Sequence, residues 1–378
     1  MMSIYSQHEG NPSVKLRSRT HHRIGMILCV SILFISGCQR PPSEGETSGD
    51  GTDHAAETSD GEEQSSSESS ADPSSDSAEK SPEEIVAAFQ ELPPPERTAQ
   101  QLAEVSELSE GQETIVALDL TSGLLGDVDL QPISKLSNLR SLNLTKVPIS
   151  GAGLNALAGL DQLEELILDS TQVGDDVGDV LKQMKSLKVL SLRQTGISDQ
   201  VFTSLAKIPQ LEVLHLDGNK VLRGKDFAIF VEQGSFQSLK ELTAADSQLG
   251  FYGFRTADRL TNLEVLKISN SGVHDGALEP ISGCQKLREL DLSSNNIGDA
   301  GIVPLKKLKA LESLKLAGCQ SVTNDALVTI RTMKQLKLLD LTGTDCSRAA
   351  LELAANEHLP NTEIVGVTVS ESEGTTTQ

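Results

Sequence analysis

Leu-x-x-Leu-x-Leu, or a close variant, recurs along this chain with leading residues Leu139, Leu163, Leu187, Leu211, Leu239, Leu263, Leu287 and Leu311, and Leu336 opens a ninth copy. Successive gaps are 24, 24, 24, 28, 24, 24, 24 and 25 residues, and a weaker copy (Ile115, Leu118, Leu120) starts 24 residues ahead of the first. A near-fixed period in the twenties marks units that stack side by side. Within Leu139 to Thr145, Leu142 and Leu144 fall on one face of a short strand and Ser141, Asn143 and Thr145 on the other. One unit cannot bury that leucine face, whereas a stack forms one parallel sheet over a continuous core. Ten strands at ~4.8 Å make a ladder roughly 45 Å long.

Shortly after each strand comes a short polar residue or cysteine: Thr171, Thr195, Asn219, Ser247, Ser271, Asn295, Cys319, Thr344. The chain turns there, and such side chains can satisfy backbone groups that the turn buries. Ile or Val then precedes x-Asp at Val173/Asp175, Ile197/Asp199, Val273/Asp275 and Ile297/Asp299. Asp favours the N-cap position, so each Asp is expected to cap its own helix. Apolar residues at helical spacing follow, as in Val201, Phe202, Leu205 and Ile208. Each unit reads as strand, corner and short helix.

Over residues 115–366 the chain resembles the ribonuclease-inhibitor-like and cysteine-containing branches of the leucine-rich-repeat superfamily. The copy from Leu311 to Leu327, with Cys319 at the corner, resembles the type found in F-box adaptors. The resemblance implies a curved α/β solenoid of about ten repeats, its parallel sheet on the concave face, that recognises a protein or peptide there. It brings no catalytic residues. An intracellular adaptor of the F-box kind would need a helical domain ahead of the repeats, and residues 41–114 are too polar to build one.

Ahead of the repeats stand a basic segment (Lys15, Arg17, Arg19, Arg23) and a 13-residue apolar run, Ile24 to Ser36. The run is short for a membrane span and suits a signal peptide. Ile35-Ser36-Gly37-Cys38 resembles the bacterial lipobox, which implies cleavage before Cys38, lipid attachment to it, and a place on a membrane of the cell envelope. Residues 1–37 are thus expected to be a lipoprotein-type signal. Residues 38–80, rich in Ser, Glu, Asp and Gly, lack the apolar surface to offset their conformational entropy and are expected to be a disordered tether. Residues 41–114 carry 20 Asp and Glu against 2 Lys and Arg, so most of the net charge of −22 precedes the repeats. So acidic a chain is a poor partner for nucleic acid.

Within residues 81–114, Ser81-Pro82-Glu83-Glu84 has the form of a capping box, Pro93-Pro94-Pro95 stops the helix it starts, and a second helix runs from about Glu96 to Leu108. These helices are expected to seal the open end of the stack, as terminal repeats require, in preference to forming a separate recognition module. Leu359 to Ile364 reads as a degenerate last strand, and 367–378 as a disordered tail.

No pattern for catalysis or cofactor binding emerges. Cys284, Cys319 and Cys346 lack C-x-x-C spacing and are expected to be free. Asp175, Asp176 and Asp179 lack the alternating ligands and turn glycine of a calcium loop. His215, His274 and His358 lie in different repeats. The chain is expected to be a monomeric, non-enzymatic binding module that needs no cofactor or metal.

The 28-residue gap marks the place to look for the partner. Five of the eight Phe lie between Phe227 and Phe254, where Phe227, Phe230, Phe236 and Phe254 align with core positions of other repeats. Phe251 and Tyr252 align with none and are expected to project beside Arg255. The predicted footprint therefore joins the outward strand residues His215, Thr243 and Lys267 to Phe251, Tyr252 and Arg255 on the adjacent corner, with His215 solvated.

Overall fold

The computed structural model describes residues 80–233 and 237–366, with the Phe251 side chain excepted. The expectations for the signal segment, Cys38, the tether to residue 79, Phe236 and the tail lie outside the described residues.

Eleven strands of three residues each form one parallel sheet in strict chain order: β1 Ala117–Asp119, β2 Ser141–Asn143, β3 Glu165–Ile167, β4 Val189–Ser191, β5 Val213–His215, β6 Glu241–Thr243, β7 Val265–Lys267, β8 Glu289–Asp291, β9 Ser313–Lys315, β10 Leu338–Asp340 and β11 Glu363–Val365. Pairing is in phase throughout, so Leu142, Leu166, Leu190, Leu214, Leu242, Leu266, Leu290, Leu314 and Leu339 form one column. All nine are fully buried. The last strand overlaps the end of the degenerate Leu359 to Ile364 segment, at Glu363 and Ile364. Between strands the chain crosses the other side of the core through short helices or 3-10 turns, which need more room than strands, and the stack curves with the sheet inside.

The corner polar residues work as expected. Thr171 Oγ1 donates to the Leu168 carbonyl at 2.6 Å, and Thr195 Oγ1 to that of Leu192 at 2.8 Å. Asn219 reaches across repeats: its Oδ1 accepts from the backbone N–H of Thr195 (3.1 Å) and Gly196 (3.0 Å), while Nδ2 donates to Leu192 (2.8 Å) and Leu216 (2.9 Å). Asn295 repeats this with Ser271, Val273, Ile268 and Leu292. At the equivalent corner position of each repeat the backbone turns left-handed, as at Lys146 (φ 59°), Ser170 (59°), Gln194 (55°) and Ser294 (58°). This conformation costs a non-glycine residue about 1 kcal/mol. It is held because the same residue donates to the next repeat, as Lys146 N does to Asp169 O at 2.8 Å and Gln194 N to Asp217 O at 2.9 Å.

The Asp residues after each corner correct the sequence reading. They do not cap their own helices; they bind the repeat that follows. Asp175 accepts from Ser198 N (2.8 Å) and Oγ (2.6 Å). Asp199 accepts from Arg223 N (2.8 Å) and Gly224 N (2.7 Å), and Asp299 from Thr323 N and Oγ1, both 2.7 Å. A carboxylate at the start of one helix sits over the still-open N–H groups of its neighbour, so it joins repeats at their helical side. The helix Asn324–Ile330 is capped by Thr323, and Asp275–Ile281 by His274.

At the N-terminal end, helix α1 (Pro82–Glu91) starts with the expected capping box on Ser81, and α2 (Ala99–Glu107) with another on Thr98. Val86, Phe89, Leu102 and Val105 join the core of the repeats. Arg97, between the helices, ties them to the sheet. Its guanidinium donates to the carbonyls of Gln90 (2.7 Å), Leu92 (3.1 Å) and Asp119 (2.6 Å) and lies 5.3 Å over the Phe89 ring. The edge of β1 is thus partly covered.

The long repeat is filled by aromatic rings. Phe227 stands edge-on to Phe202 at 5.2 Å and lies 5.7 Å from Phe230 and 5.8 Å from Phe254, all four buried. Asn219→Ala should lower unfolding free energy by about 2 kcal/mol, because it strands the buried Thr195 N–H and the buried Leu216 C=O. Urea denaturation measures this, and a loss under about 1 kcal/mol would mean that water replaces the amide.

Candidate binding face

The strand residues that alternate with the buried leucines point away from the core. In register they form two columns: Ser141, Glu165, Val189, Val213, Glu241, Val265, Glu289 and Ser313; and Asn143, Ile167, Ser191, His215, Thr243, Lys267, Asp291 and Lys315. A third row follows at the strand ends, where Asp169, Arg193 and Asp217 occupy successive repeats.

Ion pairs and hydrogen bonds run across the strands. Arg193 bridges Asp169 (Nη1, 3.3 Å) and Asp217 (Nε, 2.7 Å). Asp169 also accepts from Ser191 Oγ at 2.5 Å and Arg193 N at 3.0 Å, and Asp217 from Thr243 Oγ1 at 2.6 Å and Ala245 N at 2.7 Å. Burial pulls the Arg193 pKa down, yet the bond to Asp217 and the charges of both carboxylates outweigh it, and the pKa is raised. Further along, Glu289 lies 3.5 Å from both Lys267 and Lys315. Such cross-strand pairs fix the orientation of side chains that surface solvent would otherwise leave mobile.

Of the predicted footprint, His215, Thr243 and Lys267 are brought into one row on β5, β6 and β7. Two of them differ from expectation. Thr243 is buried, only 4% exposed, and its hydroxyl is committed to Asp217, so it supports the face and presents little to a partner. His215 is only partly solvated: its side chain is 17% exposed and Nε2 lies 3.2 Å from Glu241 Oε1. Lys267 does present its ammonium, with 38% of the side chain exposed. The Glu241 pKa is lowered, first by the hydrogen bond with His215, against burial, with help from the charges of His215, Lys267 and Arg193.

The remaining residues do not join this row. Tyr252 is 37% exposed with the Arg255 guanidinium 5.6 Å over its ring, in a notch of about 210 Å³ shared with His274 and Pro280. Arg255 belongs to the segment Gly253–Arg259, which Tyr252 immediately precedes, and Pro280 to the helix Asp275–Ile281, which His274 caps, both on the helical side. The core around Phe254 and Leu266 separates them from the strand face. The predicted continuous footprint is two separate places, because a residue beside a strand in sequence can lie on the opposite layer of a repeat. Arg193 and the two Asp residues that it joins were missed as a unit. Their signal was available as a 24-residue recurrence of opposite charges at the strand ends, Asp169, Arg193 and then Asp217.

The chemistry of the cysteines fits packing. Burial pushes the Cys284 thiol up to about 12, and its Sγ donates to the Ala257 carbonyl at 3.1 Å. Cys319 is buried at the corner and Cys346 half-buried beside the core, and all three are free. Among the described residues no group of three or more His, Cys, Asp or Glu is placed to hold a metal ion.

A family model described as Leucine Rich repeat matches residues 283–306. The ribonuclease inhibitor of Sus scrofa is 32% identical over 123 residues, 27% of this chain and 27% of that protein, so the match spans about a quarter of that relative. The crystal structure of an internalin (inlF) from Listeria monocytogenes superposes with a TM-score of 0.50 at 20% identity, covering 75% of this chain and 87% of the other. A TDR receptor crystal structure gives 0.50 at 18%, covering 71% and 44%. At these identities the structural matches speak for the fold.

Glu241→Gln should change how stability depends on pH. A depressed carboxylate pKa stabilises the fold fully above the ordinary Glu value of 4.5 and loses that contribution as pH falls through the lower folded value. Wild type should therefore exceed the variant by a constant margin at neutral pH, and the margin should shrink below pH 4.5. Denaturation midpoints across this range measure it; a margin that ignores pH would mean that the His215 contact adds nothing. In-phase strands, corner ladder and structural matches agree: the described domain has the leucine-rich-repeat solenoid fold.

Proposed function

We propose that this chain is an exported, lipid-anchored interaction module that binds a protein or peptide partner on the strand face of its repeats. The observation that supports the binding reading best is the set of oriented side chains across β3 to β9. Arg193, Lys267 and Lys315 are held by neighbouring carboxylates, with Ile167, Val189, Val213 and Val265 half-exposed among them. A broad, rigid surface of mixed polarity with apolar patches matches a macromolecular partner, and pre-arranged charges add specificity and association rate. The ribonuclease inhibitor, which by its name acts on another protein, carries the same kind of repeat.

Export and anchoring rest on the basic segment, the apolar run and the Ile35-Ser36-Gly37-Cys38 sequence. The acidic residues between Cys38 and the first helix would act as a spacer that self-repulsion extends. In this reading the repeats carry no catalytic step.

Mass spectrometry of the processed N-terminus should find Cys38 as the first residue, bearing acyl chains; an intact Gly37–Cys38 bond overturns the anchor. Partner capture with the full chain should be followed by Lys267→Glu and Arg193→Ala. Each is expected to weaken a captured partner by about tenfold or more, roughly 1.4 kcal/mol, while circular dichroism stays unchanged. A partner indifferent to both substitutions binds elsewhere.

A further inference from the structure

We infer that the edge of the last repeats where each helix turns into the next strand is a docking surface for an anionic lipid bilayer. The inference extends the membrane-anchored reading above and rests on it. Segments 279–288, 303–312 and 328–337, which make this turn in three successive repeats, carry eight Lys and Arg against two Glu, although the whole chain has a net charge of −22. Strand register stacks them. Glu289, Ser313 and Leu338 pair in phase, so the residues just before them, Arg288, Glu312 and Lys337, form one column. Three residues earlier stand Lys309 and Lys334 in the next column, and three earlier again Lys306 and Arg331.

The carboxylates account for few of these cations. Glu312 is shared by Arg288 (3.1 Å) and Lys337 (2.8 Å), and Glu279 pairs with Lys307. Lys286, Lys306, Lys309, Arg331 and Lys334 have no carboxylate in ion-pair range among the described residues, and all five are exposed. Lys286, Arg288, Lys309 and Lys337 line, together with Glu264 and Glu312, a shallow depression of about 570 Å³.

A second observation selects the partner. Val303 (44% exposed) and Val328 (55%) each precede the column of Lys306 and Arg331 by one helical turn, and Leu353 (49%) is exposed on the last helix, Arg348–Leu353. These are three of the few large apolar side chains the described residues leave exposed. Aliphatic side chains beside long cationic ones match an interfacial membrane surface, where stems and methyl groups enter the headgroup boundary and charges meet phosphates. A protein interface would be expected to show aromatic anchors and few lysines. Here six of the eight cations are Lys and there is no aromatic residue in the three segments.

The test measures cosedimentation of the full chain with phosphatidylcholine vesicles, with and without phosphatidylglycerol. The variants are Lys306→Glu/Lys309→Glu/Lys334→Glu, Val303→Ser/Val328→Ser and Cys38→Ala. Phosphatidylglycerol should tighten wild-type binding by about tenfold or more at low salt, and the charge-reversal variant should lose this gain. The valine variant should lose a few-fold of it. Cys38→Ala should lose binding that ignores lipid charge and keep the phosphatidylglycerol gain. If Cys38→Ala changes nothing while charge reversal abolishes the gain, the anchor fails and the surface stands. A folded charge-reversal variant that binds like wild type overturns the surface, whatever Cys38→Ala does. The surface is equally overturned if charge reversal abolishes capture of an acidic protein and leaves lipid binding intact.

Discussion

The leucine column across three-residue strands is the contact on which the rest of the domain depends. A strand that short makes few hydrogen bonds with each neighbour, and its inward leucine is dry only when the next repeat lies over it. Stability is therefore shared between adjacent repeats, and no repeat holds its shape alone. Register follows from the same requirement, since a one-residue slip would turn every leucine outward. The corner residues strengthen it from the side: Asn219 and Asn295 each satisfy backbone groups in two repeats at once.

That regular stack positions the outward side chains without further instruction. Because strands pair in phase, a residue 24 or 28 positions away becomes an immediate neighbour. Arg193 reaches Asp217 and Asp169, and His215 reaches Glu241, although no local sequence window contains either set. The side chains immediately before the strands show the same rule with alternating sign: Arg140, Glu164, Lys188, Glu212, Lys240, Glu264, Arg288, Glu312 and Lys337. Like charges at that spacing would repel; opposite charges let the stack close, as in the Glu164 carboxylate held by Arg140 and Lys188 at 2.7 Å each.

The 28-residue gap is absorbed on the helical side, leaving the sheet undisturbed. Its extra length passes through Gly224, at φ +80°, where an added Cβ would come within 2.7 Å of the Gly253 backbone. The phenylalanine cluster then fills the wider space. For Phe227, Phe230 and Phe254, which align with core positions of other repeats, the irregularity is a packing solution.

Much of this was legible in the linear chain because a repeated pattern encodes its own neighbours. Leucine spacing determined the parallel order and the inward column, the short polar residues after each strand determined the corner ladder, and Ser81 to Glu84 determined the first capping box. What the chain left open were decisions made between repeats. The Asp after each corner looked like a cap for its own helix, and tertiary stacking gave it the neighbour's N–H groups instead. Thr243 read as an outward residue and was drawn under Asp217; Tyr252 and Arg255 read as part of the strand footprint and fell on the other layer. Arg97 carried no motif, yet it joins two helices to β1. The physical reason is common to all of them: alternation tells a side chain which way to point, while its partner depends on which residue of the next turn arrives at hydrogen-bonding distance.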